Sequence, residues 1–89
     1  MKAIRRLSQF KKDIKRLQKA GNDFTRLEDV IEPLLKSEKL AVNHRDQALS
    51  GKYHGYRECH LPPDWLLIYQ CTKTELVLVR TGSHAELFE

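Results

Sequence analysis

The 89-residue chain lacks the features that mark several classes of protein. No apolar run approaches the roughly 18 residues that a membrane-spanning helix needs, so no contact with a membrane is expected. The first residues, MKAIRRLSQFKK, are basic but have no apolar centre, so we do not expect a secretory signal. The length predicts a single domain that spans residues 1–89.

Cysteine is scarce, because Cys59 and Cys71 are the only two. Without C-x-x-C spacing they make neither a zinc site nor a convincing disulfide framework. Both lie in apolar runs, so we expect free structural thiols that pack as small hydrophobic residues. Reduced thiols and the lack of a signal favour the cytoplasm. The histidines also lack the spacing of metal ligands, and no metal or other cofactor is expected.

Acidic residues are nearly missing from the first 20 positions. Eight Lys or Arg face the single acid Asp13 there, a net charge of +7, whereas the remaining residues sum to −3. Such a basic quarter is typical of a surface that binds a polyanion or an acidic protein. It is equally typical of a solvated helix face, and charge alone leaves both interpretations open.

Two helices are predicted before residue 36. They follow a short strand in AIRRLSQ, with Ser8 as a plausible N-cap and Gly21 as the end of the first helix. The second helix begins near Asp23, and Pro33 is expected to kink or break it, because proline removes an amide donor and crowds the preceding turn. The apolar stripes are Phe10, Ile14 and Leu17 in the first helix, and Leu27, Val30, Ile31, Leu34 and Leu35 in the second.

Three strands are predicted after a long, partly ordered connection at 37–55, namely roughly 55–60, 65–71 and 75–80. The runs WLLIYQC and ELVLVR are almost continuously apolar, which is typical of strands covered on both faces. The order β-α-α-β-β-β predicts a small α+β domain, in which the two N-terminal helices pack on one face of a small antiparallel sheet.

Polar and aromatic side chains are predicted to gather at one end of this sheet. A hairpin between strands 55–60 and 65–71 places His60, Asp64 and Trp65 at that end. The last strand runs antiparallel to its neighbour, so Arg80 returns toward the same end. The segment with His84 then starts nearby, and the two histidines are expected to converge.

This group suits RNA cleavage by the substrate's own 2′-hydroxyl. Histidine accepts and donates protons near neutral pH, and the reaction needs one group to remove the 2′ proton and another to protonate the leaving oxygen. Arg80 and Arg57 suit the charge that develops on the phosphoryl oxygens. Trp65 and Phe88 offer stacking faces for a base. Asp64 would orient a histidine or act as a base.

Each of these residues also has an ordinary structural interpretation. A histidine at the end of a strand is more often a surface group than a catalyst, and an aspartate after Pro-Pro is a common turn residue. Trp65 and Phe88 would then be packing residues. The residue types alone therefore leave catalysis as one of two interpretations.

Two segments closely resemble the YafQ branch of the RelE/ParE toxin superfamily, namely LSGKYHGYRECHLPPDWLLIY and VLVRTGSHAELF. The resemblance is strongest over residues 49–88. It implies a RelE-like fold and a ribosome-dependent endoribonuclease toxin, which cleaves mRNA in the A site without a metal. It also implies a cognate antitoxin as partner, besides the ribosome and mRNA. Toxins of the ParE type share the fold but inhibit a protein target, DNA gyrase, and this is the alternative.

The resemblance also assigns roles to individual residues. His60, Asp64 and His84 match positions that serve in acid–base catalysis, and Arg80 matches a basic position that stabilises the phosphate. Trp65 and Phe88 match aromatic positions that line the site.

One position departs from the pattern, because Gln47 stands where the family commonly has a further histidine. Glutamine cannot transfer protons. Either that histidine is dispensable, or His44 or His54 takes its place. We expect cleavage to survive the change at a lower rate.

Overall fold

The computed structural model describes residues 1–88. Five strands and three helices follow one another along these residues. In chain order they are β1 (Ala3–Arg6), α1 (Ser8–Lys19), α2 (Thr25–Leu35), β2 (Gln47–Ala48), β3 (Arg57–Leu61), β4 (Trp65–Cys71), β5 (Glu75–Gly82) and α3 (His84–Phe88). Among these residues, no helix is both long and apolar enough to cross a bilayer.

The five strands form one sheet in the order β1-β5-β4-β3-β2. The last three strands pair as antiparallel neighbours, as the sequence predicts, and β2 adds a short antiparallel edge. β1 pairs with β5 in parallel, with Ala3 opposite Glu75. The predicted small α+β domain is therefore confirmed, with a parallel edge that the apolar pattern does not reveal.

Each face of the sheet has its own core. On the first face, α1 and α2 contribute Phe10, Leu17, Leu27, Val30 and Leu34, which pack on Cys59, Leu61, Leu67 and Leu78 of the strands. On the second face, Leu66, Ile68, Val77 and Val79 are covered by Tyr53 and by Leu87 of α3. Strands buried on both sides explain the nearly continuous apolar runs.

Several local predictions differ from the structure. Ser8 does not cap α1, because the cap position is Leu7 and no side chain accepts a hydrogen bond there. Pro33 does not stop α2, which continues to Leu35, because a proline in the last turn leaves little helix to disrupt. The connection at 37–55 contains the strand β2 and two short 3-10 turns. Cys71 is exposed at the end of β4, whereas Cys59 is buried.

Candidate active site

His60 and the start of α3 lie at the same end of the sheet. His60 on β3 stands opposite Leu66 on β4, and Leu66 stands opposite Gly82 on β5. Two strand spacings of about 4.8 Å therefore separate His60 from Gly82. Residues that face each other across antiparallel strands share a face. The partly exposed side chain of His60 therefore lies on the second face, where Leu66 packs and α3 docks.

The residues after β5 fix the start of α3 and therefore the position of His84. Ser83 and Glu86 form a capping box, in which the Ser83 N–H donates to Oε1 of Glu86 at 2.8 Å and the Glu86 N–H donates to Oγ of Ser83 at 3.2 Å. The first of these bonds lowers the pKa of Glu86, and the nearby Arg16 guanidinium also contributes. Glycine suits position 82, because its φ of 155° is one that other residues rarely adopt and because a Cβ would displace Nη2 of Arg16, 2.7 Å away.

Asp64 and His84 meet as the sequence predicts. The Asp64 carboxylate accepts a hydrogen bond from the backbone N–H of His84 at 3.3 Å. The His84 ring lies against Phe88, with centroids 5.1 Å apart, and Phe88 in turn meets Tyr53 edge to face at 5.5 Å. Phe88 keeps 38% of its surface exposed. The imidazole of His84 is therefore held beside an accessible aromatic face.

A bulge in β5 brings Arg80 onto the same face. Tyr69 stands opposite Leu78, whereas the preceding Ile68 stands opposite Arg80, so Val79 falls between the two pairs. Unbroken alternation from Leu78, which packs on the first face, would have turned Arg80 toward the helices. The extra residue reverses the alternation, and Arg80 shares the second face with Ile68 and His60.

A fully buried carboxylate holds Arg80 in place. Asp13 accepts hydrogen bonds from Nε of Arg80 at 2.8 Å, from Nη2 of Arg80 at 3.1 Å and from the Thr81 N–H at 3.1 Å. It also pairs with Arg16 at 2.8 Å. Burial raises the pKa of Asp13, but the bonds from Arg80, Arg16 and Thr81 outweigh it and hold this pKa below its ordinary value.

Arg80 keeps donors that Asp13 does not use. Its Nη1 lies 3.5 Å from the hydroxyl of Tyr53, and the hydrogen bond from that hydroxyl to Leu87 links it to α3. The pKa of Arg80 is raised, chiefly by its hydrogen bonds to Asp13. Arg80 is thus a fixed cation that uses one edge of its guanidinium for Asp13.

A second buried carboxylate lies beside His60. Oε2 of Glu58 lies 3.3 Å from Nε2 of His60, and it accepts a hydrogen bond from Nε2 of Gln47 at 2.6 Å. The Glu58 side chain is only 8% exposed. Gln47, Glu58 and His60 therefore form a connected row at the β2–β3 edge. Nδ1 of His44 lies 2.8 Å from the backbone carbonyl oxygen of His60, so His44 lies next to β3.

Arg57 is turned away from this group, whereas Trp65 is mostly buried but lines the small cavity beside His60 together with Asp64. Arg57 stands opposite Tyr69, which packs on the first face, and its Nε pairs with Asp46 at 3.1 Å. Trp65 is only 7% exposed, and its indole N–H donates to Oγ1 of Thr81 at 2.7 Å. The structure gives both residues structural partners, and the substrate contact of Arg57 and the stacking face of Trp65 stay predictions.

Sequence reasoning missed Asp13, Glu58 and Tyr53. Each is a polar residue at a position where burial is unexpected, and only the pairing of distant strands and helices buries it. The sequence held a signal only for Asp13, which is the single acidic residue among the first 20 positions. Within residues 1–88, no three His, Cys, Asp or Glu side chains are grouped so as to hold a metal ion.

Comparisons with known proteins identify the family and the fold of the chain. The model of a family described as a bacterial toxin of a type II toxin-antitoxin system, YafQ, matches residues 2–89. The chain is 40% identical over 81 residues to the mRNA interferase toxin YafQ of Escherichia coli K12, covering 90% of this chain and 88% of that protein.

Solved structures give the same result. YafQ of E. coli BL21(DE3) superposes with a TM-score of 0.92 at 36% identity, over 100% of both chains. A copper-bound mutant toxin from Helicobacter pylori gives 0.92 at 42% identity, over 99% of this chain and all of that one. YafQ in the E. coli DinJ-YafQ toxin-antitoxin complex gives 0.89 at 37% identity, over 99% and 98% of the two chains. The chain belongs to the YafQ family of toxins of type II toxin–antitoxin systems.

Proposed function

We propose that this toxin is a ribosome-dependent endoribonuclease that cleaves mRNA in the A site and so inhibits translation. The mRNA interferase name of the E. coli relative supports the reaction class. The proposal is supported by the strand register, which brings His60 and the start of α3 to the same end of the sheet, and by the bulge in β5, which turns Arg80 onto the face that α3 covers.

The proposed reaction is an internal transesterification. One imidazole, of His60 or His84, removes the 2′ proton, and the 2′ oxygen forms a bond to phosphorus as the bond to the 5′ oxygen breaks. The other imidazole protonates that leaving oxygen. The products are a 2′,3′-cyclic phosphate and a 5′-hydroxyl. Arg80 stabilises the charge on the phosphoryl oxygens, because its guanidinium is permanently ionised and already oriented.

Two carboxylates support the imidazoles. Glu58 lies within reach of the His60 ring, and Asp64 anchors the first turn of α3 through the His84 N–H. Phe88 would supply the stacking face for an unstacked base beside His84. The chemistry requires a fixed distance between two proton-transferring groups, and these contacts limit the movement of both.

The surface of α1 suggests how the toxin would reach the ribosome. Four lysines on this helix are exposed, namely Lys11, Lys12, Lys15 and Lys19. They would contact the phosphates of ribosomal RNA, an attraction that weakens as salt rises. An antitoxin with an acidic segment would compete for the same surface. The E. coli relative forms a toxin-antitoxin complex with DinJ, which supports a cognate antitoxin as partner here. The proposed action on ribosomes places the toxin in the cytoplasm.

The test is a cleavage assay on ribosomes programmed with a defined mRNA. We expect the wild-type chain to cut in the A site and His84→Ala to abolish the cut while the fold remains, because His84 is exposed. Asp29→Ala is the control, since it removes an exposed side chain of α2, which packs on the other face of the sheet, and it should retain the wild-type rate.

Undiminished cleavage by His84→Ala would defeat this assignment. An uncut message together with inhibition of DNA gyrase would instead favour the ParE-type alternative. Two histidines at one end of the sheet, with Arg80 anchored on the same face, favour cleavage, because a toxin that only binds a protein has no need of groups that transfer protons.

A further inference from the structure

A small cavity opens beside His60 where β3 ends. Its volume is about 250 Å³, and its wall includes Pro62, Pro63 and Asp64 from the turn before β4. Trp65 of β4 also lines it, and so do Asn43 and Arg45 from the turn that precedes β2. None of the contacts described for the reaction uses these last two residues.

The turn that carries Asn43 and Arg45 is fixed to β3. Nδ1 of His44, between them, contacts the carbonyl of His60 at 2.8 Å. Arg45 has a left-handed backbone, with φ of 47°, and its N–H donates to the carbonyl of Val42 at 3.1 Å. A residue other than glycine keeps this conformation only where its surroundings impose it. The two side chains are therefore presented from a defined backbone.

Both side chains remain available to a ligand. Asn43 and Arg45 are exposed. The neighbouring carboxylate of Asp46 is already engaged by Nε of Arg57 at 3.1 Å and by the hydroxyl of Tyr69 at 2.6 Å. The Asp46 carboxylate is therefore paired with Arg57 and Tyr69 rather than with Arg45. An amide and a guanidinium are the side chains that most often recognise base edges by paired hydrogen bonds.

We propose that this cavity is a subsite for one nucleobase of the mRNA, next to the scissile phosphate, and that Asn43 and Arg45 determine which base is preferred. The two prolines offer a flat apolar surface to the base. Asp64 in the wall would repel a phosphate, but its carboxylate accepts hydrogen bonds from the amino groups of a base. This mixture of an amide, a cation and an anion therefore suits a neutral ring with donors and acceptors on its edge.

The proposal rests on the proposed function and adds the source of its base preference. The cleavage experiment varies each A-site nucleotide in turn and measures single-turnover rates for wild type, Asn43→Ala and Arg45→Ala. At one position, the ratio between the best and the worst base should fall about five- to a hundredfold in one or both variants, the range for one base contact. Val42→Ala is the control, because Val42 lies in the same turn, is 95% exposed and does not line the cavity.

A second measurement does not depend on cleavage. Dinucleotides with a 2′-deoxy sugar lack the attacking hydroxyl and stay intact, so they can be titrated while the NMR signals of the Asn43 and Arg45 side chains are followed. We expect shifts that differ among the four bases and are absent with an abasic dinucleotide. Such shifts without any cleavage would reject the proposed activity but retain the subsite.

Two results would overturn the subsite. One is that both variants keep the wild-type ratios of cleavage rate among the four bases. Uniform slowing at every base belongs to this result, because it would indicate a general effect of charge or structure. The other is a titration in which the Asn43 and Arg45 signals do not move, or move equally for every dinucleotide.

Discussion

Asp13 and Arg80 form a bidentate ion pair between positions 67 residues apart in the sequence, with Nε of Arg80 2.8 Å from Oδ2 and Nη2 3.1 Å from Oδ1. Asp13 is fully buried, and the Arg80 side chain is only 19% exposed. The lone acid of the basic first segment therefore neutralises and orients the cation of the proposed site. It connects the helix expected to bind ribosomal RNA to the residues expected to cut mRNA.

Replacing Asp13 with Asn should reduce both stability and cleavage. Breaking a buried pair leaves uncompensated charge, so we expect the free energy of unfolding to fall by about 3–5 kcal/mol. Arg80 also loses its orientation, so cleavage should fall under conditions where the variant is still folded. Urea unfolding and the ribosome assay measure the two effects. Asp29→Asn, which changes an exposed acid on α2, should alter neither.

Acidic pH should remove the contribution of Asp13 to the free energy of unfolding. Its pKa is lower in the folded protein than its ordinary value of 3.8, so the folded state binds fewer protons. The stabilisation is therefore complete above the ordinary value and is lost as the pH falls through the lower folded pKa. The difference in unfolding free energy between wild type and Asp13→Asn should stay constant near neutral pH and shrink below about pH 4. A difference that grows in acid would contradict this account.

Restoring histidine by Gln47→His should speed cleavage. Histidine can keep a donor toward Glu58, which Gln47 now contacts at 2.6 Å, and it adds a group able to transfer a proton. We expect a gain of roughly tenfold, less than a full general-catalysis effect because two imidazoles are already present. Gln47→Ala, which only removes the contact, should not be faster than wild type. Loss of cleavage in Gln47→His would show that our description of the site is wrong.

Trp65→Phe should affect stability rather than cleavage. The change removes the hydrogen bond from the indole to Thr81 in the core but keeps an aromatic ring near Phe24. A loss of about 1–2 kcal/mol of unfolding free energy is expected, with the wild-type cleavage rate. Phe88→Leu should slow cleavage and leave the unfolding free energy nearly unchanged, because Phe88 is exposed and lies against His84. If Trp65→Phe alone slowed cleavage, the indole of Trp65 would take part in the site itself.

The two thiols should differ sharply in reactivity. Burial raises the pKa of Cys59 to about 12, so its thiolate is scarce as well as inaccessible. Burial also raises the pKa of Cys71, but this residue is exposed. A thiol reagent near pH 8 should label one cysteine of the folded protein and two after unfolding. In Cys71→Ser, rapid labelling of the folded protein would contradict the buried position of Cys59.

Much of the fold could be predicted from the sequence, because burial and helical period leave a local trace. The runs at 65–71 and 75–80 coincide with β4 and most of β5, and the apolar stripes coincide with the buried faces of α1 and α2. The positions of His60, Asp64 and His84 also follow from local order, since a hairpin and a returning strand must bring their ends together.

The tertiary structure alone decided which side chains share a face. The bulge at Val79 turns Arg80 toward His60, and no local pattern marks it, because Val79, Leu76 and Leu78 are equally apolar. Long-range pairing also buries Asp13 and Glu58, and it gives Trp65 its partner in Thr81. Periodicity in a sequence records which residues are buried, whereas the partner of a buried polar group depends on segments that are distant in the chain and meet only on folding.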